Sequence, residues 1–298
     1  MKRVVFDRPG PPAEVLRVED DVPAPQPARG EVLVRMLASP VNPSDLMYVA
    51  GKYGLRPQLP ATPGFEGVGV VEATGGGLLG RLRKGKRVAV INDRVGNWAE
   101  YTVTKARQVV PVPDDIPDEQ AATFFVNPAT AIVMTRDVLA VPPGEWLLQS
   151  AAGGELGKMV VRLGKKYGFK TLNVVRRREQ VEELKKLGAD AVVVESDGPL
   201  PEQTAKLAPG GIRYAIDPVG GKTGSEVVAS LTAGGRCLLY GSLSDEPLTV
   251  HPRHLLSNDV RVEGFWLAAW ARRQGVLTML GLFRRVRAMM REGVLQST

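Results

Sequence analysis

The rhythm of apolar and polar positions changes along the chain. Up to about residue 120 the apolar residues come in short runs: Val32-Leu33-Val34-Arg35-Met36-Leu37, Gly67-Val68-Gly69-Val70-Val71-Glu72, Arg87-Val88-Ala89-Val90-Ile91 and Ala99-Glu100-Tyr101-Thr102-Val103. Such runs fit half-buried pleated surfaces. Pro40, Pro43, Pro60, Pro63 and Gly75-Gly76-Gly77 punctuate them, as turns between strands require. Residues 1–120 are therefore expected to form a compact, mostly β domain with few helices.

Near Asp118 the pattern becomes helical, and Glu119-Gln120-Ala121-Ala122-Thr123-Phe124-Phe125 continues past Asn127-Pro128 toward Leu139. After the linker Pro142-Pro143-Gly144, strand and helix alternate. Strands are predicted at 146–150, 170–175, 190–194, 212–216, 236–240 and 260–265, and helices at 156–167, 178–187 and 222–232. A looser stretch precedes 212. This alternation predicts an α/β fold with a doubly wound parallel sheet over residues 121–268, followed by a helical segment at 269–298.

One strand-to-helix turn carries candidate chemistry. Glu145-Trp146-Leu147-Leu148-Gln149 runs into Ser150-Ala151-Ala152-Gly153-Gly154-Glu155-Leu156-Gly157, where Ala152, Gly154 and Gly157 occupy the places of a G-x-G-x-x-G fingerprint. Small residues there permit the tight turn, the approach of a pyrophosphate to the helix N-terminus, and close helix–strand packing. Glu155 is an awkward acid beside a phosphate. The next strand ends in Arg176-Arg177-Arg178, where an NAD enzyme would offer an acid to the ribose. Arginine suits a 2′-phosphate, so NADPH is the expected cofactor, with some tolerance of NADH left open by Glu179.

Composition narrows the chemistry further. The 298 residues are 44% hydrophobic and 24% charged, which excludes disorder and fibrous repeats. A single cysteine, Cys237, excludes an intramolecular disulfide. With only His251 and His254 besides, a Cys/His zinc site or a histidine-based nucleophilic triad is disfavoured, and His251-Pro252-Arg253-His254 reads as a loop. The net charge of +7 is spread along the chain, which argues against a nucleic-acid partner and suits either a phosphate-rich cofactor or a generically basic surface. The start lacks an apolar leader, and no apolar run approaches the ~20 residues that span a bilayer. A soluble, cytoplasmic protein without a membrane partner is expected.

Several motifs then point to a family. Val41-Asn42-Pro43-Ser44-Asp45, Gly51-Lys52-Tyr53-Gly54, Pro63-Gly64-Phe65-Glu66-Gly67, Val126-Asn127-Pro128-Ala129-Thr130-Ala131, Asn173-Val174-Val175-Arg176, Val219-Gly220-Gly221-Lys222 and Gly264-Phe265-Trp266-Leu267 follow in order. Together they resemble the zinc-free branch of the medium-chain dehydrogenase/reductase superfamily, in particular mitochondrial-type 2-enoyl thioester reductases, with quinone oxidoreductases nearby. The resemblance implies a GroES-like, mostly β amino-terminal domain and a Rossmann domain. Zinc alcohol dehydrogenases of the superfamily place cysteine where Asn42 stands and histidine where Phe65 stands. Neither replacement is a soft metal ligand, so no metal is expected.

By the same resemblance Tyr53 is the expected catalytic acid. Hydride addition to the β-carbon of an unsaturated thioester builds negative charge on the carbonyl oxygen and α-carbon, and a phenol protonated at neutral pH can donate there. The implied cofactor contacts are Asn42, Asn127, the turn Ala152, Gly153, Gly154, Glu155, Leu156 and Gly157, and the arginines Arg176, Arg177 and Arg178. At the nicotinamide end they are Tyr240-Gly241-Ser242-Leu243 and Phe265-Trp266-Leu267-Ala268.

The implied substrate is an acyl thioester carried by CoA or an acyl-carrier protein. A quinone is the alternative, and a nucleotide-binding homologue without turnover is a third. Family members continue past the segment ending at Thr298. That comparison raises the expectation of a missing tail, of an apolar face left partly uncovered at Leu277, Met279, Leu280, Leu282, Phe283, Val286, Met289 and Met290, and of a homodimer that covers it.

Overall fold

Branched side chains at alternate positions fold into sheets whose two faces differ. A computed structural model of the chain, describing residues 1–92 and 96–297, shows two compact units that divide after Val126. In the first unit β1 (Arg3–Val5) pairs antiparallel with β2 (Arg17–Glu19). β3 (Glu31–Ala38), β4 (Glu66–Thr74), β5 (Arg87–Ile91), β6 (Tyr101–Lys105) and β7 (Val109–Pro111) form an antiparallel sheet in the order β6-β3-β4-β5-β7. Its buried face consists of Val32, Val34, Val71, Val88, Val90, Ala106 and Val109.

Four short helices complete this unit among the described residues: α1 (Pro12–Val15), α2 (Pro43–Val49), α3 (Leu78–Arg83) and α4 (Asp118–Ala122). Proline opens α2 at a position where its missing N–H costs nothing. α4 and the residues up to Val126 lie with the β-rich unit. The physical cause is a set of bonds: Arg87 Nε donates to Asp118 at 2.8 Å, and the Arg87 guanidinium also reaches the carbonyls of Pro113 and Ile116.

The second unit begins with α5 (Val126–Ile132), which runs into a π-helical stretch at Val133–Val138. Thereafter come β8 (Trp146–Gln149), α6 (Glu155–Tyr167), β9 (Lys170–Val175), α7 (Gln180–Leu187), β10 (Ala191–Val194), α8 (Leu200–Leu207), β11 (Tyr214–Asp217) and α9 (Gly221–Ala229). β12 (Arg236–Leu239), α10 (Pro252–Asn258), β13 (Arg261–Gly264), α11 (Leu267–Arg272) and α12 (Val276–Arg291) follow. The six strands are parallel in the order β10-β9-β8-β11-β12-β13. The order reverses at β8, whose neighbours β9 and β11 leave in opposite directions. Ligands of such sheets bind outside the strand carboxyl ends at that point. The core around it includes Leu148, Leu172, Val174, Val193, Val227, Val228 and Cys237.

Two helices depart from the sequence expectation. α8 fills the looser stretch, yet only Leu200 and Thr204 of it are buried, so its apolar periodicity is weak. His251 and His254 lie at a helix rather than in a loop: His251 caps α10, its Nδ1 accepting from the Arg253 N–H at 3.1 Å, and His254 Nε2 lies 3.0 Å from the Val228 carbonyl oxygen. No residue of α10 is buried, which removes the pattern that would have revealed it.

The face of α12 expected to be partly uncovered is open toward its start and covered farther along. Leu282, Val286, Met289 and Met290 are buried within the second unit, and Arg285 makes a bidentate pair with Asp137 at 2.6 and 2.8 Å. Arg162 donates to the Gln296 carbonyl at 2.7 Å. Toward its start the apolar face stays open, with Leu277 82% and Leu280 46% exposed. No helix among the described residues is long and apolar enough to cross a membrane.

Candidate active site

In the second unit the predicted cofactor residues gather where the parallel strands end. Residues 150–157 follow β8, 176–178 follow β9, 240–243 follow β12 and 265–268 follow β13. Asn127 is half-buried in the first turn of α5. Gly154 is the N-cap of α6 and leaves the helix without a side-chain cap, so the first-turn N–H groups retain capacity for an anion. A Cβ on Gly157 would lie 2.3 Å from the Ala152 carbonyl oxygen, which is why only glycine lets α6 pack this close to the turn. Ala151 holds a left-handed φ of 49° at the bend.

Beneath the turn, Gln149 Nε2 donates to Asn173 Oδ1 at 2.6 Å and to the Gly157 carbonyl at 3.0 Å, binding β8, β9 and α6 together. The awkward charge of Glu155 is countered by Lys158 at 3.3 Å, which also pairs with Glu183 at 2.6 Å. Arg176, Arg177 and Arg178 are all exposed. Arg178 is engaged with Asp197, whereas Arg176 and Arg177 have no ion-pair partner among the described residues.

Sequence reasoning missed the acid at the centre of this edge. Asp217 ends β11, fully buried, and accepts from the Ser150 hydroxyl, the Gly220 N–H at 2.8 Å and the Val219 N–H at 3.2 Å. Ser150 follows β8, so the bond closes across the point where the strand order reverses. Burial raises the Asp217 carboxyl above its ordinary range, against the pull of those three donors. Burial, and then the Asp217 charge, push the Tyr240 phenol upward, so Tyr240 stays protonated at neutral pH. The visible signal was a charged residue closing the apolar run Tyr214-Ala215-Ile216.

The 240–243 loop rests on this clasp. The Leu243 N–H donates to the Pro218 carbonyl at 3.0 Å, and a Cβ on Gly241 would lie 2.7 Å from the same oxygen. Phe265 is buried, with its N–H on the Leu239 carbonyl at 2.7 Å, while Trp266 is half-buried beneath the Arg272 guanidinium. These groups fit a dinucleotide laid along the strand ends: N–H donors for phosphates, arginines beyond β9, and a partly apolar far end.

In the first unit Tyr53 is half-buried in the loop after α2, its ring 5.1 Å from that of Phe65. Phe65 also meets Tyr48 edge-to-face at 5.4 Å. Asn42 is buried at the start of α2. Its N–H donates to Asp45 Oδ2 at 2.7 Å and its Nδ2 to Glu66 Oε1 at 3.0 Å. Glu66 Oε2 accepts from the N–H groups of Phe125 and Val126, each at 2.9 Å. Burial raises the carboxyls of Asp45 to about 6 and of Glu66 to about 7, opposed by these hydrogen bonds.

This donor set does not fit zinc. It offers one buried carboxylate whose oxygens accept from three N–H groups, beside an amide and a benzyl ring, with no thiolate or imidazole. Among the described residues no group of three or more His, Cys, Asp or Glu side chains gathers as a metal site. Cys237 is buried, and burial pushes its thiol up, so it is no nucleophile.

Comparison with known proteins agrees with the two units. Residues 28–114 match the alcohol dehydrogenase GroES-like domain, and residues 156–281 match the zinc-binding dehydrogenase family. The mitochondrial enoyl-acyl-carrier-protein reductase of Xenopus tropicalis is 38% identical over 273 residues, covering 90% of this chain and 77% of that protein. Among solved structures, a putative NADPH:quinone reductase from Bacillus thuringiensis is 34% identical with a TM-score of 0.90, covering 99% of this chain and 88% of that one. The complex of Etr1p with NADP and crotonyl-CoA is 27% identical with a TM-score of 0.84, covering 99% and 90%.

The cytoplasmic expectation is overturned here, because the curated relatives from frog, rat and human are named as mitochondrial proteins. Composition bears on membrane spanning and does not distinguish one compartment from another. The two family matches, the strand order β10-β9-β8-β11-β12-β13 and the relatives together make this chain a member of the medium-chain dehydrogenase/reductase superfamily, an oxidoreductase of its enoyl and quinone reductase branch with a nicotinamide cofactor.

Proposed function

We propose that the protein is an NADPH-dependent, zinc-independent reductase of the activated C=C bond of 2-enoyl thioesters, carried by CoA or an acyl-carrier protein, with Tyr53 as proton donor and carbonyl anchor. The observation that carries this reading is a half-buried phenol packed on Phe65, at the place where zinc relatives hold a ligand. A Lewis acid has no donor set here, so the charge that builds on the thioester oxygen needs a hydrogen-bond donor from the chain. The Etr1p complex, which holds NADP and crotonyl-CoA, supports the same choice.

When bound, NADPH supplies the hydride that adds to the substrate β-carbon. The Tyr53 hydroxyl donates to the carbonyl oxygen as negative charge develops and passes its proton to the α-carbon, so that hydride and proton together saturate the bond. The phenolate regains its proton from solvent. The first turn of α6 would hold the pyrophosphate, Arg176 and Arg177 the 2′-phosphate, and Asn42 and Asn127 further parts of the cofactor. The loops 240–243 and 265–268 would line the nicotinamide end.

Tyr53→Phe should lose about 100-fold or more of kcat on a crotonyl thioester while its NADPH Kd stays unchanged. Unchanged turnover would remove Tyr53 from the mechanism. The TM-score of 0.90 with a putative NADPH:quinone reductase favours a second reading, quinone reduction, which needs no dedicated proton donor of this kind. Comparing crotonyl thioester with benzoquinone as oxidants of NADPH separates the two.

A further inference from the structure

Glycines flank the loop that carries Tyr53. Gly51 sits at a φ of 73° and Gly54 follows the tyrosine, so the backbone on either side is permissive. At the helix end the Gly51 N–H donates to the Tyr48 carbonyl at 3.1 Å, and the Lys52 N–H to the Met47 carbonyl at 2.8 Å. Beyond Lys52 the ring itself meets Phe65, with centroids 5.1 Å apart and planes inclined at 40°.

Phe65 is held from several sides. Its N–H donates to Asp45 Oδ1 at 2.9 Å, and its carbonyl accepts from the Asn92 N–H at 2.8 Å. Gly64 before it has a φ of 103°, and a Cβ there would lie 2.6 Å from Trp98 Cδ1, so the backbone has no room to slide. Its ring meets Tyr48 at 70°, and Tyr48 in turn meets the fully buried Phe6 at 5.8 Å and 86°. Four aromatic rings thus form a continuous ladder from a core of Phe6, Val15, Val49 and Ala61 out to Tyr53. Edge-to-face and tilted ring pairs constrain orientation as well as burying area.

We infer that Phe65 is a positioning residue for Tyr53, fixing the phenol through ring contact so that its hydroxyl meets the reacting carbonyl in one orientation. This rests on the reading of Tyr53 as proton donor. A ring is required at 65 because an aliphatic side chain of similar volume fills the space without the directional contact.

The test is a double-mutant cycle on the full-length protein with NADPH and a crotonyl thioester. Phe65→Leu should lower kcat about tenfold with NADPH Kd unchanged and a smaller effect on KM, the scale of losing a directional ring pair in the transition state. Phe65→Tyr, which keeps the ring, should retain at least about half of the activity. In a Tyr53→Phe background, Phe65→Leu should cause no further loss, because the group it orients is already gone. An undiminished kcat in Phe65→Leu, or a second tenfold loss in the Tyr53→Phe background, overturns the inference. Full activity of Tyr53→Phe alone overturns the parent reading and is a separate result. Should Phe65→Leu fail to fold, Phe65→Met in the same cycle gives the same reading.

Discussion

Replacing Glu66 by glutamine should remove the loss of stability with rising pH that this position causes. Glu66 is 2% exposed, and burial lifts its carboxyl to about 7, opposed by the N–H groups of Val126 and Phe125 and the Asn42 amide, and aided by the nearby Asp45 carboxylate. In the unfolded chain a glutamate titrates near 4.5. Between those values the folded state keeps a proton that the unfolded state has released, so stability falls as pH rises through the window and the loss is complete above about 7. The gap from 4.5 to 7 amounts to about 3 kcal/mol at roughly 1.4 kcal/mol per tenfold change.

Glu66→Gln is neutral throughout and escapes that loss. The two proteins should be equally stable within about 1 kcal/mol at pH 5, and the variant should be the more stable by about 3 kcal/mol at pH 8. Asp45, raised to about 6, contributes in the same direction to both proteins and largely cancels from the difference. Urea titrations at pH 5, 6, 7 and 8, with hydrogen exchange of peptides from β4 reporting the first unit, measure it. If the wild type gains on the variant as pH rises, the three donors stabilise the ionised carboxylate by more than burial penalises it, and the reasoning fails.

Two further outcomes follow from the second unit. Gly157→Ala should cost about 1–3 kcal/mol and weaken NADPH binding, because the added carbon would meet the Ala152 carbonyl oxygen at 2.3 Å and its Cα at 2.6 Å, backbone atoms that cannot rotate away; a thermal scan matching wild type would refute it. Arg176→Ala should raise the NADPH Kd about tenfold while leaving NADH binding unchanged, whereas Arg178→Ala should change it less than about threefold because Asp197 already holds that guanidinium. Calorimetric titration with both dinucleotides decides between them, and equal losses would show that Asp197 yields Arg178 to the phosphate.

The parallel sheet was legible because its strands are nearly uninterrupted apolar runs separated by helices with a buried stripe, as in α6, where Met159, Val160, Val161 and Leu163 all face inward. α10 was not, since a helix with no buried residue has no apolar face to read. The turn at 152–157 could be read because small residues are required by close packing, and the clash at Gly157 is that requirement made geometric. Asp217 and Lys158 were hidden for the opposite reason. Their roles come from partners distant in sequence, Ser150 and Glu183, and a charge in a buried place looks like any other charge until the fold brings its partner.

The same logic explains how a site built for a metal in relatives is closed in this chain. Replacing a ligand pair by Asn42 and Phe65 would leave Glu66 as an unpaired buried charge, a costly remainder. Instead the asparagine supplies a donor to one carboxylate oxygen, and the N–H groups of Phe125 and Val126 satisfy the other. The phenylalanine supplies no polar group and becomes a rung between Tyr48 and Tyr53. Each substitution therefore completes a network that lacks it otherwise: one satisfies a carboxylate, the other supports a phenol. Restoring either ligand alone, as in Phe65→His, should not recruit zinc, because a single imidazole beside a carboxylate already engaged by three donors offers too few free ligands for a tetrahedral site. Metal analysis of that variant after dialysis against zinc should find no bound ion; one zinc per chain would show that Glu66 gives up its N–H partners for the metal.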